Sequence, residues 1–158
     1  MNDAETRPNR LPWPPMIYLT AIAAAVVLMW QVPLPWLPSP LSDLLFAVGI
    51  VAIFGVVAID VSAMRTLSKA RTTIMPHKGS DHLVTNGPFS FSRNPIYLAN
   101  TLLMMGVGLI AGSVWFILLG LVAAFLTQKL AIEREERHLD IRFGKRYRDY
   151  RKKVRRWI

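Results

Sequence analysis

The sequence predicts an all-α membrane protein that crosses the bilayer several times, with a cytoplasmic loop and an amphipathic C-terminal helix. Three observations lead to this fold class. Hydrophobic residues make up 53% of the 158-residue chain. They are gathered into long blocks without charged residues, and segments rich in proline or in Lys and Arg separate these blocks. We therefore expect one membrane domain, residues 1–158, with about four transmembrane helices.

The first span is predicted at residues 14–32. No charged residue occurs between Arg10 and Asp43, and tryptophans stand near both ends of the span, as is typical of membrane interfaces. The polar start of the chain and the lack of a clear cleavage site favour a membrane helix over a cleaved signal peptide. Four prolines in "QVPLPWLPSP" (31–40) end this helix.

The second span is predicted at residues 43–63, and a third apolar block follows at 94–128. A single helix of 35 residues would be roughly 52 Å long, well beyond a hydrocarbon core of about 30 Å. We therefore expect a hairpin that turns near Gly112-Ser113, with spans at 95–111 and 114–131. One long tilted helix, giving three spans in all, is the alternative.

Lys and Arg predict the orientation. Residues 31–42 and 111–114 contain neither, whereas the loop at 66–94 is basic. From Lys129 onward the chain holds twelve basic and five acidic residues. By the positive-inside rule, both termini and the loop are expected on the cytoplasmic side, in a bacterial-type cytoplasmic membrane.

The C-terminal segment, 132–158, has the pattern of an amphipathic helix. Its apolar residues recur on one helical face, which we expect to lie on the membrane surface or on the loop. Glu135 and Glu136 border this face, so these carboxylates need partners or a function. The alternative is an exposed pair that forms ion pairs with nearby arginines at helical spacing. Gly144 is expected to mark a bend or a break. The apolar face consists of Ile132, Leu139, Phe143, Tyr147, Tyr150 and Val154.

Several function classes are disfavoured. The chain has no cysteine, which excludes disulfides, thiolate metal sites and cysteine nucleophiles. Its three histidines lack metal-ligand spacing, so no metal site is expected. "GVGLIAG" (106–112) lies in an apolar helix, where Gly108 and Gly112 suggest a helix contact and not a nucleotide loop. The formal charge of +9 lies at the membrane surface, so lipids and not nucleic acid are the expected partners.

The third block begins with an unusual polar stretch, "GPFSFSRNPIYLAN" (87–100). Pro95 is suited to the first turn of a helix, and Asn94 to its N-cap position. The free N–H groups of this helix start would then lie beside Arg93. Such a position attracts an anionic or acceptor-rich group.

Two motifs resemble one known family. "LVTNGPFSFSRNPIYL" (83–98), followed after the hairpin by the pattern EExxLxxxFGxxYxxY (135–150), is similar to the isoprenylcysteine carboxyl methyltransferase and phospholipid methyltransferase superfamily. The resemblance covers residues 72–157. It implies an integral membrane enzyme that uses S-adenosylmethionine, with a cofactor site formed by the loop, the start of the third span and the tail.

The resemblance also implies roles for individual residues. Arg93 matches the arginine before the helix-starting proline and is expected in catalysis or substrate binding. Arg134 is a weaker candidate for substrate binding. Glu136 is a catalytic candidate, as the base for an amine acceptor. The cofactor contacts carried over by position are Asp81, His82, Leu83, Val84, Phe89, Asn94, Pro95, Ile96, Tyr97 and Glu135.

Four positions depart from the family pattern. Asn94 stands where many members have histidine, Phe89 where tyrosine is common, and Ala99 where glycine is frequent. Ala131 aligns with an arginine that some members use for substrate. These departures leave the implied cofactor site intact and leave the acceptor open.

The expected reaction is methyl transfer to a lipophilic acceptor, with a carboxylate of isoprenylcysteine type as the first expectation. A carboxylate attacks already ionised, whereas an amine must first lose a proton, for which Glu136 or His82 is the candidate base. A phosphatidylethanolamine-type N-methyltransferase is the alternative enzyme. A non-catalytic protein that binds anionic lipid through its basic tail is the alternative from another class.

Overall fold

The computed structural model describes residues 13–70 and 83–158, and every regular element in these two ranges is helical. The predicted cofactor residues Asp81 and His82 lie outside the described residues. Three of the described helices are long and apolar enough to cross a membrane, and a shorter apolar helix accompanies them. The predicted fold class, an all-α multi-pass membrane protein, is confirmed. The orientation inferred from Lys and Arg stays a prediction.

The first two helices flank the proline-rich segment. Helix α1 spans Trp13–Gln31 and α2 spans Leu41–Lys69. The second helix is longer than the span predicted at 43–63 and continues into the segment assigned to the loop. Ala63, at the end of the predicted span, and Leu67, in the extension, are both buried. They prolong the stripe that packs against the neighbouring helix, which gives the extra turns a tertiary reason to form.

Helices α3 (Pro95–Ala111) and α4 (Val114–Thr127) form the hairpin that the sequence predicts. Gly112 has a left-handed backbone, with φ of +61°, and a Cβ added there would lie 3.1 Å from the Trp36 ring. A glycine thus suits the turn twice, by conformation and by space. At about 26 Å, 17-residue α3 is slightly shorter than the hydrocarbon core.

Helix α4 does not stop at the predicted end of its span. It passes through a π-helical turn (Gln128–Ile132) directly into α5 (Glu133–Phe143), forming one continuous helix from Val114. Gly144, with φ of +52°, then separates α5 from α6 (Lys145–Lys153). The predicted amphipathic C-terminal helix is therefore present in two pieces, with the break at the predicted glycine.

The helices pack as a bundle in which α2 lies along α3, and α4 contacts both α1 and α3. A core of Tyr18, Ala25, Met104, Phe116 and Ala123 joins α1, α3 and α4. Helices α2 and α3 approach closely because both contribute glycine at their crossing. These side chains and close contacts fix α3 at the centre of the bundle, with its first turn at the polar end.

We predict that Gly49→Ala weakens the α2–α3 contact. A Cβ added at Gly49 would lie 2.8 Å from the Gly106 carbonyl oxygen and 2.8 Å from Ile110 Cγ1. Such overpacking should lower the free energy of unfolding by about 1–3 kcal/mol. Unfolding in mixed detergent and SDS micelles measures the change.

Gly55→Ala in the same helix is the matched control. A Cβ there meets nothing within 4 Å, so this change should be neutral or stabilising by about 0.5–1 kcal/mol. Equal effects of the two substitutions would contradict the proposed close contact.

Candidate functional site

The start of α3 is preceded by a short, tightly placed 3₁₀ helix, Gly87–Ser90, which packs against α2. Gly87 has φ of +59°, and a Cβ added there would lie 2.5 Å from Thr66 Oγ1. This close approach holds the 3₁₀ helix on α2. Phe89, a predicted cofactor residue, is half-buried on it, and its carbonyl oxygen accepts a 2.6 Å hydrogen bond from the Tyr150 hydroxyl.

The last residues of the chain return to the start of α3. We call residues 154–158 the C-terminal arm. The Arg93 N–H donates to the Arg155 carbonyl oxygen at 3.0 Å, and Ser92 Oγ donates to that of Arg156 at 3.4 Å. Trp157 Nε1 donates to a side chain of the π-helical turn, Gln128 Oε1, at 2.9 Å. The arm thus lies across the segment that enters α3.

Asn94 occupies the predicted N-cap position of α3 but makes no side-chain cap hydrogen bond. Its Nδ2 donates instead to the Arg156 carbonyl oxygen at 3.0 Å, and its N–H donates to Ser92 Oγ at 3.1 Å. The first intrahelical bond runs from the Leu98 N–H to the Asn94 carbonyl oxygen. The N–H groups of Ile96 and Tyr97 therefore have no acceptor within the helix.

Glu136 is buried, with 8% of its surface exposed, and lies between two arginines. Its Oε1 is 3.1 Å from an Arg93 terminal nitrogen and 3.0 Å from Arg156 Nε, and its Oε2 is 2.7 Å from Arg156 Nη2. The alternative, an exposed carboxylate that forms ion pairs with arginines of its own helix, is therefore wrong for Glu136. Both partners are distant in sequence, and Arg156 binds in the bidentate geometry that suits a carboxylate.

Tyr147 extends this network. Arg93 Nη1 donates to the Tyr147 hydroxyl at 3.2 Å, and the side chain of Tyr147 is almost fully buried. Burial raises the pKa of Tyr147 to about 12; nearby Glu136 acts in the same direction and Arg93 opposes it. The hydrogen bonds to Glu136 raise the pKa of Arg156. At neutral pH the tyrosine therefore stays protonated and the arginine charged.

The second predicted carboxylate, Glu135, faces a different partner. The Tyr97 hydroxyl donates to Glu135 Oε2 at 3.4 Å, a long bond. The Tyr97 carbonyl oxygen lies 3.0 Å from Thr101 Oγ1 and 3.3 Å from the Tyr18 hydroxyl oxygen, and these two hydroxyl groups are 2.6 Å apart. The two hydroxyl protons are therefore shared among three contacts, with one hydroxyl donating to the other and the carbonyl accepting the remaining proton. The first turns of α3 are thus tied to α1 on one side and reach α5 on the other.

The remaining predicted site residues lie in three parts of the structure: the start of α3, the segment before the 3₁₀ helix, and α5. Asn94 and Pro95 are buried, and Ile96 lies half-buried in the first turn of α3. Leu83 and Val84 lie half-buried in the non-helical segment before the 3₁₀ helix. Arg134 is exposed on α5.

Sequence reasoning missed Arg156, Ser92 and the roles of Tyr147 and Tyr150. The two tyrosines belong to the predicted apolar stripe, but nothing local indicates that their hydroxyl groups bond to Arg93 and to the loop. Arg155 and Arg156 are adjacent and identical, yet one presents its side chain to solvent and the other to Glu136. Only the tertiary fold distinguishes them.

Comparison with known proteins decides the family. The family model described as phospholipid methyltransferase matches residues 44–146, which is 103 of the 158 residues. The chain belongs to the phospholipid methyltransferase family. No curated protein and no solved structure matches it.

The match to the phospholipid methyltransferase family runs from α2 to the beginning of α6. It includes Arg93, Tyr97, Glu135 and Glu136, and confirms the superfamily that the two motifs suggest. Together with the apolar helices it identifies a membrane protein. Tyr147 and the C-terminal arm follow the matched residues, so part of the Glu136 network is built from residues beyond the match.

We predict that Arg156→Ala destabilises this phospholipid methyltransferase family member. The change removes both bonds of the bidentate pair and leaves buried Glu136 with one arginine. Hydrogen bonds to charged groups contribute about 1.5–3 kcal/mol each, and Arg156 is partly exposed, so a loss of about 1–3 kcal/mol in unfolding free energy is expected. The same mixed-micelle unfolding measures it.

Arg155→Ala is the control, because the Arg155 side chain is exposed and its backbone carbonyl, which Arg93 uses, is retained. An exposed substitution of this kind should change the unfolding free energy by less than about 0.5 kcal/mol. If both variants lose the same stability, the Glu136 pairing does not anchor the arm.

Proposed function

We propose that the protein transfers a methyl group from S-adenosylmethionine to a lipophilic acceptor, with the headgroup amine of a phospholipid as the foremost candidate. The observation that carries the proposal is the pairing of Tyr97 with Glu135 beside the open start of α3, inside the matched region. The family description supports a phospholipid acceptor. The isoprenylcysteine carboxylate favoured by sequence reasoning becomes the alternative.

The residues at the start of α3 fit the chemical groups of this cofactor. The carboxylate of S-adenosylmethionine matches the Ile96 and Tyr97 N–H groups, which lack intrahelical acceptors at the positive end of the helix dipole. The ammonium or the ribose hydroxyls match the Glu135 carboxylate, whose Oε2 has one long bond. Phe89 and Tyr97 supply aromatic surface for the adenine or the sulfonium. When bound, the cofactor supplies an electrophilic methyl group.

The two carboxylates are proposed to have different roles. Both oxygens of Glu136 already accept hydrogen bonds from guanidinium groups. We therefore assign it the role of an anchor for Arg93 and the C-terminal arm, in place of the general base that sequence reasoning suggested. Glu135 remains available to the cofactor. His82, the other candidate base, lies outside the described residues and stays a prediction.

Orientation and exclusion of water are the main contributions that methyl transfer requires of a protein. The hydrogen bonds of the Tyr97 carbonyl oxygen to Tyr18 and Thr101 would hold the first turns of α3 in place while a ligand binds. Arg93, fixed by Glu136 and Tyr147, would present a stationary positive charge at the mouth of the site. Arg93 and Arg134 stay candidates for contact with the acceptor.

We predict that Glu135→Gln weakens cofactor binding. Loss of a charge-assisted hydrogen bond should raise the Kd for S-adenosylmethionine by about 10–100-fold. Tyr97→Phe, which removes the hydroxyl that orients Glu135, should raise it by roughly fivefold. Isothermal titration calorimetry of the purified protein measures both.

The matched control is Glu133→Gln on the same helix. Glu133 pairs with Lys129 at 2.8 Å on a more exposed face, so its neutralisation should leave the Kd unchanged. Wild-type affinity in the Glu135→Gln protein would refute this cofactor site.

The reaction itself is tested by transfer of a radiolabelled methyl group into membrane lipids and proteins. We expect base-stable label in phospholipid, because an N-methyl group resists hydrolysis, and strongly reduced label with Glu135→Gln but not with Glu133→Gln. Base-labile label would instead identify a carboxylate acceptor and a methyl ester.

A labelled product of neither kind would reject both acceptors. Absence of transfer together with absence of cofactor binding would favour the non-catalytic alternative, a membrane protein that holds anionic lipid through its basic tail. The two experiments therefore separate a wrong acceptor from a wrong reaction.

A further inference from the structure

A shallow groove of about 520 Å³ lies along the outer face of α2, and all of its described lining residues belong to this one helix. We call it the α2 groove; its lining extends from Phe54 to Lys69. Val57 and Val61 line it, and both are substantially exposed to the surroundings of the bundle. The groove is therefore open to whatever surrounds α2, which in a membrane is lipid.

The lining changes character along the helix. Its first part is apolar, with Phe54, Val57 and Val61, and its last part carries Arg65 and Lys69 beside hydroxyl side chains. From Phe54 to Arg65 the helix rises by roughly 16 Å, which is about half of a hydrocarbon core of about 30 Å. An acyl chain of one leaflet thus fits beside the apolar part, with its headgroup at the level of the cations.

The charged residues of the groove indicate which kind of lipid headgroup would fit it. No acidic residue belongs to its described lining. Across the described parts of the chain, neither Arg65 nor Lys69 forms an ion pair. Asp60 does not line the groove; it stands four residues after buried Val56 and three before buried Ala63, on the same stripe of α2, and its Oδ1 is buried. Two cations without an acid match a phosphate, and they lack the carboxylate that would match the ammonium of an amine headgroup.

We propose that the α2 groove binds one anionic phospholipid, with an acyl chain along Phe54, Val57 and Val61 and the phosphate between Arg65 and Lys69. This lipid differs in charge from the amine-bearing acceptor of the proposed reaction. Its site does not depend on that reaction, because it is formed by α2 and needs neither Glu135 nor the cofactor.

The groove is also connected to the start of α3. Thr66 lines it and touches Gly87, the first residue of the 3₁₀ helix that carries Phe89. A phosphate held at this level would stand next to the segment that leads into the candidate methyl-transfer site. An anionic lipid is therefore positioned to stabilise that segment.

Native mass spectrometry of the full chain, released from nanodiscs of defined composition, tests the proposal. We expect one retained phosphatidylglycerol, and much weaker retention of phosphatidylcholine or of diacylglycerol, which has no phosphate. The double substitution Arg65→Gln with Lys69→Gln should raise the apparent Kd for phosphatidylglycerol by about thirtyfold, from two lost headgroup contacts, and so lower its occupancy. Equal retention of diacylglycerol would overturn the proposal.

A control of equal charge is Lys152→Gln with Lys153→Gln, two exposed positions of α6. It should leave the single bound phosphatidylglycerol in place. If it lowers occupancy as much as the groove variant does, the protein attracts anionic lipid only through its general charge, and the site is refuted.

A second pair of variants keeps every charge and changes the shape of the groove. Val61→Trp should fill it and displace the lipid, whereas Val51→Trp, at an exposed α2 position outside the groove, should not. Retention of the lipid by Val61→Trp would overturn the proposal. So would a mass that shows a second copy of the chain in place of the lipid.

Discussion

The buried Glu136 carboxylate, held between Arg93 and Arg156, is the interaction on which the polar end of the molecule depends. Glu136 lies 43 positions after Arg93 and 20 positions before Arg156 in the chain, so the interaction joins distant segments. Burial of charges costs several kcal/mol per ion, so such a network contributes little net stability. Its effect is to specify one arrangement: the arm, α5 and the entry to α3 fit together in a single register.

That register leaves the first turn of α3 without a side-chain cap while holding its backbone from two sides. The Asn94 side chain, which could have capped the helix, is bonded to the arm. The N–H groups of the first turn consequently remain without intrahelical partners, while Tyr18 and Thr101 hold the Tyr97 backbone from the other side. A helix end of this kind can receive an acceptor-rich ligand without first breaking its own hydrogen bonds.

Much of the fold could be predicted because membrane helices are specified by long runs of local composition. Charge-free blocks located the helices, and Gly112 located the hairpin turn. Charge was a poorer guide to where helices end. Backbone hydrogen bonds continue past Lys129 and past Ala63, because charged side chains do not interrupt the hydrogen bonding of a helix.

The site was predictable only in part. The family resemblance assigns Tyr97 and Glu135 to the same cofactor site, because each belongs to one of the two motifs. The arm was not predictable, because its bonds to the segment that enters α3 use backbone carbonyl groups, which every residue possesses. The choice of Arg156 over Arg155 depends on which way one side chain points after α6 ends, and that direction is a property of the assembled structure.

The π-helical turn at Gln128–Ile132 has a geometric consequence. One extra residue in a helix rotates every later side chain by about 100°. Buried Thr127, the last residue of α4, and buried Ala131, in the π-helical turn, belong to one helical phase, whereas Ile132 and Glu136 belong to the next. A single continuous rod therefore presents two faces in two directions. Its first half packs in the bundle, and its second half pairs with the arm.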